Sequence, residues 1–282
     1  MPAFIADEIK TFVRTSPLNC MPDSDGDPIF DEPLVQYADG DDLLFLEYKK
    51  IIAPTHLTPR EALAKARNKS PSEMPARLSV ISWILPITAK TRESNRQQTS
   101  APSRWWAYTR WYGEKFNRAL REHVVKFLNS KGYLAVAPFL EPYFKTETNE
   151  KGDYSNWSER HIAYGAGLGT FSLSDGFITE RGIAHRCGSV VTNLEFPTSP
   201  RTAKNQYANC LFYVNQKCQA CIVRCPADAI TENGHDKIKC KKYIFSDLAY
   251  LRQEYKADDI GCGLCQTKVP CEFRNPVRKL KA

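Results

Sequence analysis

Three cysteines read Cys218-x2-Cys221-x3-Cys225-Pro226, and eight of the chain's ten cysteines fall between Cys210 and Cys271. A tight loop that offers successive thiolates to one cubane, with the cysteine before proline reaching across to a second, is the ligand pattern of four-iron clusters. Cys240, the turn Gly261-Cys262-Gly263-Leu264-Cys265 and Cys271 follow downstream. With Cys210 the total is eight thiols, four for each of two clusters. The chemistry these residues indicate is electron transfer.

In the bacterial run C-x2-C-x2-C-x3-C-P the first cysteine would stand at Asn215, so Cys210 is the nearby substitute on a longer loop. The crossed geometry of two-cluster ferredoxins then assigns Cys210, Cys218, Cys221 and Cys271 to one cluster, and Cys225, Cys240, Cys262 and Cys265 to the other. A [3Fe-4S] cluster or a three-cysteine site would need no ligand at Cys210. Zinc also uses paired C-x2-C motifs, but a zinc ribbon sets them about 15 to 20 residues apart. Here 40 residues separate Cys221 from Cys262, and zinc leaves Cys225, Cys240 and Cys271 unexplained. A disulfide framework suits small secreted domains, which this chain does not resemble.

The cysteine map divides the 282 residues into an expected first domain, 1–204, and a cluster domain, 205–282. Only Cys20 and Cys187 precede Cys210, so the first domain must rest on an ordinary hydrophobic core, which 42% hydrophobic residues allow. The N-terminus has no basic region followed by a long apolar run, and the most apolar window, Leu78 to Ile87, is about half a membrane span. The expectation is a cytoplasmic protein with no membrane partner, in a reducing, oxygen-poor cell where thiols persist. A net charge of +7 invites a nucleic-acid reading. Residues 206–282 carry 13 Lys and Arg against 8 Asp and Glu. Two cluster cores with their thiolates, at a formal charge of about −2 each, would neutralise most of that excess internally. The remaining lysines suit an acidic electron donor better than nucleic acid.

Several elements must position this chemistry. Asp23-Ser-Asp-Gly-Asp-Pro looks like a calcium loop, but its twelfth position is Leu34 and not Glu, so it reads as a solvated turn. Pro59 to Asn68 reads as a helix capped by Thr58, and Leu78 to Leu85 as a buried strand. Thr88 to Ser103 is nearly devoid of apolar residues and is predicted as a structureless loop or lid. From Trp105 to Phe127 the apolar residues recur at helical spacing, with Arg110, Arg118 and Arg121 off that face on an expected solvated side, and Gly132 ending the element. Tyr133 to Val136 and Gly188 to Asn193 read as strands, and Ser158 to Tyr164 as a helix stopping at Gly165. The spacing G-x-G-x-G that follows is not the dinucleotide fingerprint, which comes after a strand and before a helix. Pro197 to Pro200 marks the expected domain boundary.

Ala166-Gly-Leu-Gly169, Gly188-Ser-Val-Val-Thr-Asn-Leu194, Cys218-x2-Cys221-x3-Cys225-Pro and Gly261-Cys-Gly-Leu-Cys-Gln266, in this order over about residues 130–275, resemble the cobalamin-dependent epoxyqueuosine reductases and the related reductive dehalogenases. The resemblance implies an α/β (α+β) nitroreductase-like N-terminal domain holding cobalamin, followed by a ferredoxin-like double [4Fe-4S] domain. It implies electrons from an external donor such as ferredoxin or flavodoxin, a small-molecule substrate, and Ala166, Gly167, Leu168 and Gly169 beside the corrin. The family's acid lies 13 residues before Ala-Gly-Leu-Gly, where this chain has Asp153, although Gly152 and Tyr154 replace the family's flanking residues. Asp153 is therefore the expected proton donor, with Tyr154 and His161 as substitutes. A carboxylic acid donates at neutral pH only if burial raises its pKa. The short stretch after the second cysteine motif predicts a form without the C-terminal helical repeats of epoxyqueuosine reductases. Cys187 reads as a free buried cysteine. The competing readings are an electron-transfer or partner-binding iron-sulfur protein without cobalamin, and a transfer-RNA modifier contacting RNA through the Trp105 helix.

Overall fold

The computed structural model describes residues 2–278. Its centre is a four-stranded antiparallel sheet in the order β1 (Leu34–Asp39), β2 (Ser79–Pro86), β8 (His185–Thr192), β3 (Ala135–Val136). Every residue of β2 is buried, as a strand covered on both faces requires. Alternate side chains go to opposite cores. Ile81, Trp83, Leu85 and Val190 pack with α1 (Pro2–Thr15) and α5 (Arg104–Ser130). Val80, Ile84 and Val191 pack with α2 (Leu44–Ile51), α3 (Pro59–Ala66) and α6 (Glu159–Gly165). The result is a mixed α/β arrangement of helices, sheet and helices, with small antiparallel hairpins added: β4 (Thr146–Asn149) with β5 (Gly152–Ser155), and β6 (Gly169–Phe171) with β7 (Phe177–Thr179).

Local chemistry sets the helix ends. Thr58 accepts from Glu61 N while the Glu61 side chain accepts from Thr58 N, a capping box with Pro59 at the first position. Ser103 caps α5 by accepting from Trp106 N at 3.2 Å. At the other end of α5, Gly132 takes φ +84°.

Two expectations are corrected. Thr88 to Ser103 is not structureless, because residues Ala89–Arg96 form α4. Its buried residues are polar, Thr91 and Asn95, which is why no apolar period announces it. Asn95 donates to Thr267 Oγ1 at 3.0 Å and accepts from Ser103 N at 2.9 Å, while Arg96 pairs with the buried Glu272. Arg121 is not on a solvated face, since its side chain is 1% exposed.

The cysteine-rich segment is stitched onto this body by hydrogen bonds and by a third small core of Leu173, Ile178, Ile183, Cys210, Ile230 and Val269. Ile183 N donates to Cys271 O at 2.8 Å, and Arg224 donates to Gln98 O at 2.7 Å. The segment contains α7 (Leu211–Asn215), α8 (Ala220–Val223), the pair β9 (Ile230–Thr231) and β10 (Gly234–His235), α9 (Lys237–Lys242) and α10 (Leu251–Tyr255). Gly263, inside the second cysteine turn, has φ +61°, and a Cβ there would lie 1.9 Å from the Trp106 indole. Only glycine lets that turn lie on α5. Among the described residues no helix is long and apolar enough to cross a membrane.

Candidate redox site

All ten cysteines are free thiols. The structure brings Cys210, Cys218, Cys221 and Cys271 around one small cavity walled by Ile178, Val269, Pro270 and Pro276. It places Cys225, Cys240, Cys262 and Cys265 on the wall of a second, much larger cavity of about 600 Å³. Electrostatic coupling largely runs within these groups, although Cys221 of the first also bears on Cys265 of the second. Burial, and then Cys210 and Cys218, push Cys221 up to about 12. Burial, and then Cys210, Cys221 and Cys218, raise Cys271. In the second group burial, with Cys240 and Cys225 adding to it, pushes Cys262 up to about 11. Cys265 is raised furthest by burial, followed by Cys262 and Cys240. Enclosed thiols such as Cys221, Cys271, Cys262 and Cys265, whose ionisation burial and neighbouring thiols oppose, become thiolates only if a cationic centre sits among them. Among the described residues no three His, Cys, Asp or Glu side chains are drawn together tightly enough for a single metal ion. The two groups of four thiols match the donors of two four-iron clusters in type and number.

The large cavity lies between the two parts of the chain. One wall comes from α5, β5, α6 and β8, through Trp106, Arg110, Glu114, Arg121, Asp153, Glu159, His161, His185 and Cys187. The opposite wall is the second thiol group with Tyr243 and Ile244. Its volume is that of a small-molecule or cofactor pocket.

Asp153 is on this wall, but its side chain is 37% exposed. It accepts from Thr148 Oγ1 at 2.6 Å and from Lys241 Nζ at 2.9 Å, and these two bonds hold it below the ordinary carboxylate range. In this setting Asp153 is a carboxylate at neutral pH. His161 also lines the cavity, and burial, helped by Arg160, pushes it down to about 3. Tyr154 is raised, chiefly by its hydrogen bond to Glu147.

The segment Ala166 to Gly169 lies elsewhere. Ala166 and Leu168 are buried, and none of the four residues lines the large cavity. A Cβ on Gly167 would meet Pro200 O at 2.8 Å, and one on Gly169 would meet Ile178 O at 2.3 Å. The close approach these glycines permit is to the chain's own backbone.

Sequence reasoning missed an ionic network on the cavity wall. Arg121 pairs with Glu114 at 2.9 Å and Glu159 at 3.1 Å, and donates to Cys187 O at 3.1 Å. Arg186 pairs with the far side of Glu114. Glu159 also meets Ser189 Oγ at 2.6 Å, and that oxygen accepts from Trp157 Nε1 at 3.0 Å. The two carboxyl groups diverge. Burial raises Glu114, but Arg186 and Arg121 outweigh it and hold the group low. Glu159 has one arginine and a serine, so burial prevails and the group is raised. His185 gives its Nε2 proton to Phe177 O, leaving Nδ1 3.7 Å from Cys187 Sγ. Burial pushes His185 down to about 4 and Cys187 up to about 12. The available signal was Glu159 at the start of a predicted helix, where an acid reads as a complement to the helix dipole.

No protein-family model matches the chain, and no curated protein does. Solved structures do match. One is an epoxyqueuosine reductase from Bacillus subtilis with its catalytic loop swung out of the active site (16% identity, TM-score 0.47). Another is a selenomethionine-labelled epoxyqueuosine reductase (16% identity, TM-score 0.47). A third is an epoxyqueuosine reductase with an epoxyqueuosine-modified transfer-RNA stem loop (17% identity, TM-score 0.48). Each match covers 96% of this chain, and the chain spans 66% of the length of each of those structures.

Proposed function

We propose that this chain is an iron-sulfur oxidoreductase that passes electrons from an external donor of the ferredoxin or flavodoxin class, through two four-iron clusters, to a cobalamin in the large cavity, where a small organic substrate is reduced. The observation that carries the proposal is that one group of four thiols is enclosed by apolar residues while the other opens onto a cavity of about 600 Å³ furnished with acid-base groups.

Cys210, Cys218, Cys221 and Cys271 would hold one cluster, and Cys225, Cys240, Cys262 and Cys265 the other. The clusters would supply one-electron carriers. Cobalamin, when bound, supplies a cobalt centre able to take up those electrons and reduce a carbon-heteroatom bond. Trp106, Tyr154 and Tyr243 line the cavity and would hold a large flat ring. The chain's own tasks would be to bind the ring beside the Cys262 turn, which the Gly263 contact with Trp106 holds in place, and to provide a proton.

Iron and cobalt per chain, measured after anaerobic purification, cluster reconstitution with hydroxocobalamin and desalting, test the proposal. About eight iron and one cobalt are expected. Eight iron with no cobalt would reduce the protein to an electron carrier, and no iron would remove the redox reading altogether.

A further inference from the structure

We infer that Glu159, and not Asp153, is the proton donor of the cavity: its carboxyl gives a proton to the molecule reduced there. The inference rests on the function proposed above and names the residue that serves it.

The geometry points to this side chain by its position and its hydrogen bonds. Glu159 lies on the wall that faces Cys225, Cys240, Cys262 and Cys265, with 13% of its side chain exposed. The titratable and charged groups around it are Arg121 and Glu114 from α5, Arg160 beside it on α6, and His185, Arg186 and Cys187 from β8. Glu114 is held ionised between two arginines. Asp153 is half open to solvent and tied to Lys241. His161 and His185 carry no extra proton at neutral pH, and the Cys187 thiol holds its proton too tightly to release it. Glu159 alone among these is a carboxyl whose pKa burial raises above the ordinary carboxylate value. Its 2.6 Å partner, Ser189, suits either protonation state, because a hydroxyl both donates and accepts while Trp157 Nε1 only donates.

The step balances as R–X + 2 e⁻ + H⁺ → R–H + X⁻, with X a bonded oxygen or halogen. The C–X bond breaks with its electron pair on X, two electrons come from the low-potential donor, and the proton leaves Glu159 as a carboxylate. Solvent then restores the proton. A cluster held by the nearby thiols would gain negative charge on reduction and so favour that reprotonation.

Infrared spectra read the carboxyl directly, without a substrate. At neutral pH the wild-type protein is expected to show a protonated-carboxyl C=O band that shifts in D2O and grows when the reconstituted protein is reduced. The band should be lost in Glu159→Gln and kept in Asp153→Asn. In Ser189→Ala, which keeps the acid but removes a bond favouring its ionised form, the band should titrate at higher pH. Absence of the band in both redox states of the wild type, its persistence in Glu159→Gln, or an unmoved titration in Ser189→Ala would overturn the assignment. A chain that binds no iron defeats the reductase reading and the donor role together, whereas eight iron with Glu159 ionised throughout defeats the donor role alone.

Discussion

The two thiol groups differ less in their cysteines than in what stands opposite them. The group of Cys210, Cys218, Cys221 and Cys271 faces Ile178, Val269 and prolines, and exposed Tyr213 and Val214 lie just beyond Cys210. The group of Cys225, Cys240, Cys262 and Cys265 faces arginines, glutamates and histidines across an open chamber. An apolar enclosure suits a carrier that only passes electrons on, since no proton has to follow the charge. A chamber with graded acids suits the place where electrons and protons meet. Under the proposed function, electrons would run from the enclosed group to the open one.

That direction can be broken most severely at the cysteines. Cys265→Ser should lose about four iron and stop electron delivery to the chamber, whereas Cys271→Ser should lose about four iron while the other centre keeps its electron paramagnetic resonance signal. If either variant loses all iron, the two groups do not act separately. The next largest effect is expected at Arg121. Arg121→Met leaves Glu114 and Glu159 without their shared partner and should cost about 3 to 5 kcal/mol in urea denaturation. A loss below about 1 kcal/mol would show that the chamber wall does not depend on this network.

Acid should act on the chamber side first. Burial pushes His56 and His185 down to about 4 and His161 to about 3. Their folded values lie below the unfolded value of about 6.5, so the unfolded chain binds the extra protons. The contribution of these three histidines is complete above about pH 6.5 and is lost as pH falls from there toward 4, by roughly 1.4 kcal/mol per pH unit for each. Against this His235, raised to about 9, gains a smaller part, complete once pH has fallen below about 6.5. Denaturation midpoints between pH 7 and pH 5 check this, and a flat profile would contradict the burial of these rings. The smallest effect is expected from Asp153→Asn. Its pair with Lys241 is exposed, so the change should be under about 1 kcal/mol and should shrink in high salt.

How much of this was legible in the chain can be seen element by element. The Pro59 helix, the β2 strand and the long α5 helix are written in caps and apolar periods, because those features act within a few residues of one another. Helix α4 was not legible, since its buried face is polar and finds its partners in Thr267 and Glu272, more than 170 residues away. Arg121 misled for the same reason. Its place off the apolar stripe is real, yet α6 covers it there with the Glu159 carboxylate and β8 with the Cys187 carbonyl. Asp153 had the right distance from the Ala166 motif, but distance along a chain carries no information about burial, and the fold left that residue at the rim.

What the sequence by itself determined is the set of possible ligands, eight thiols whose spacing already separates tight turns from crossing cysteines, together with the local elements that carry them. What only the tertiary structure decided is which group opens on a chamber and which of the many acids stands inside it with a raised pKa. Thiol spacing is a property of adjacent backbone. A pKa is set by desolvation and by charges that distant segments bring together, and those exist only once the chain has folded.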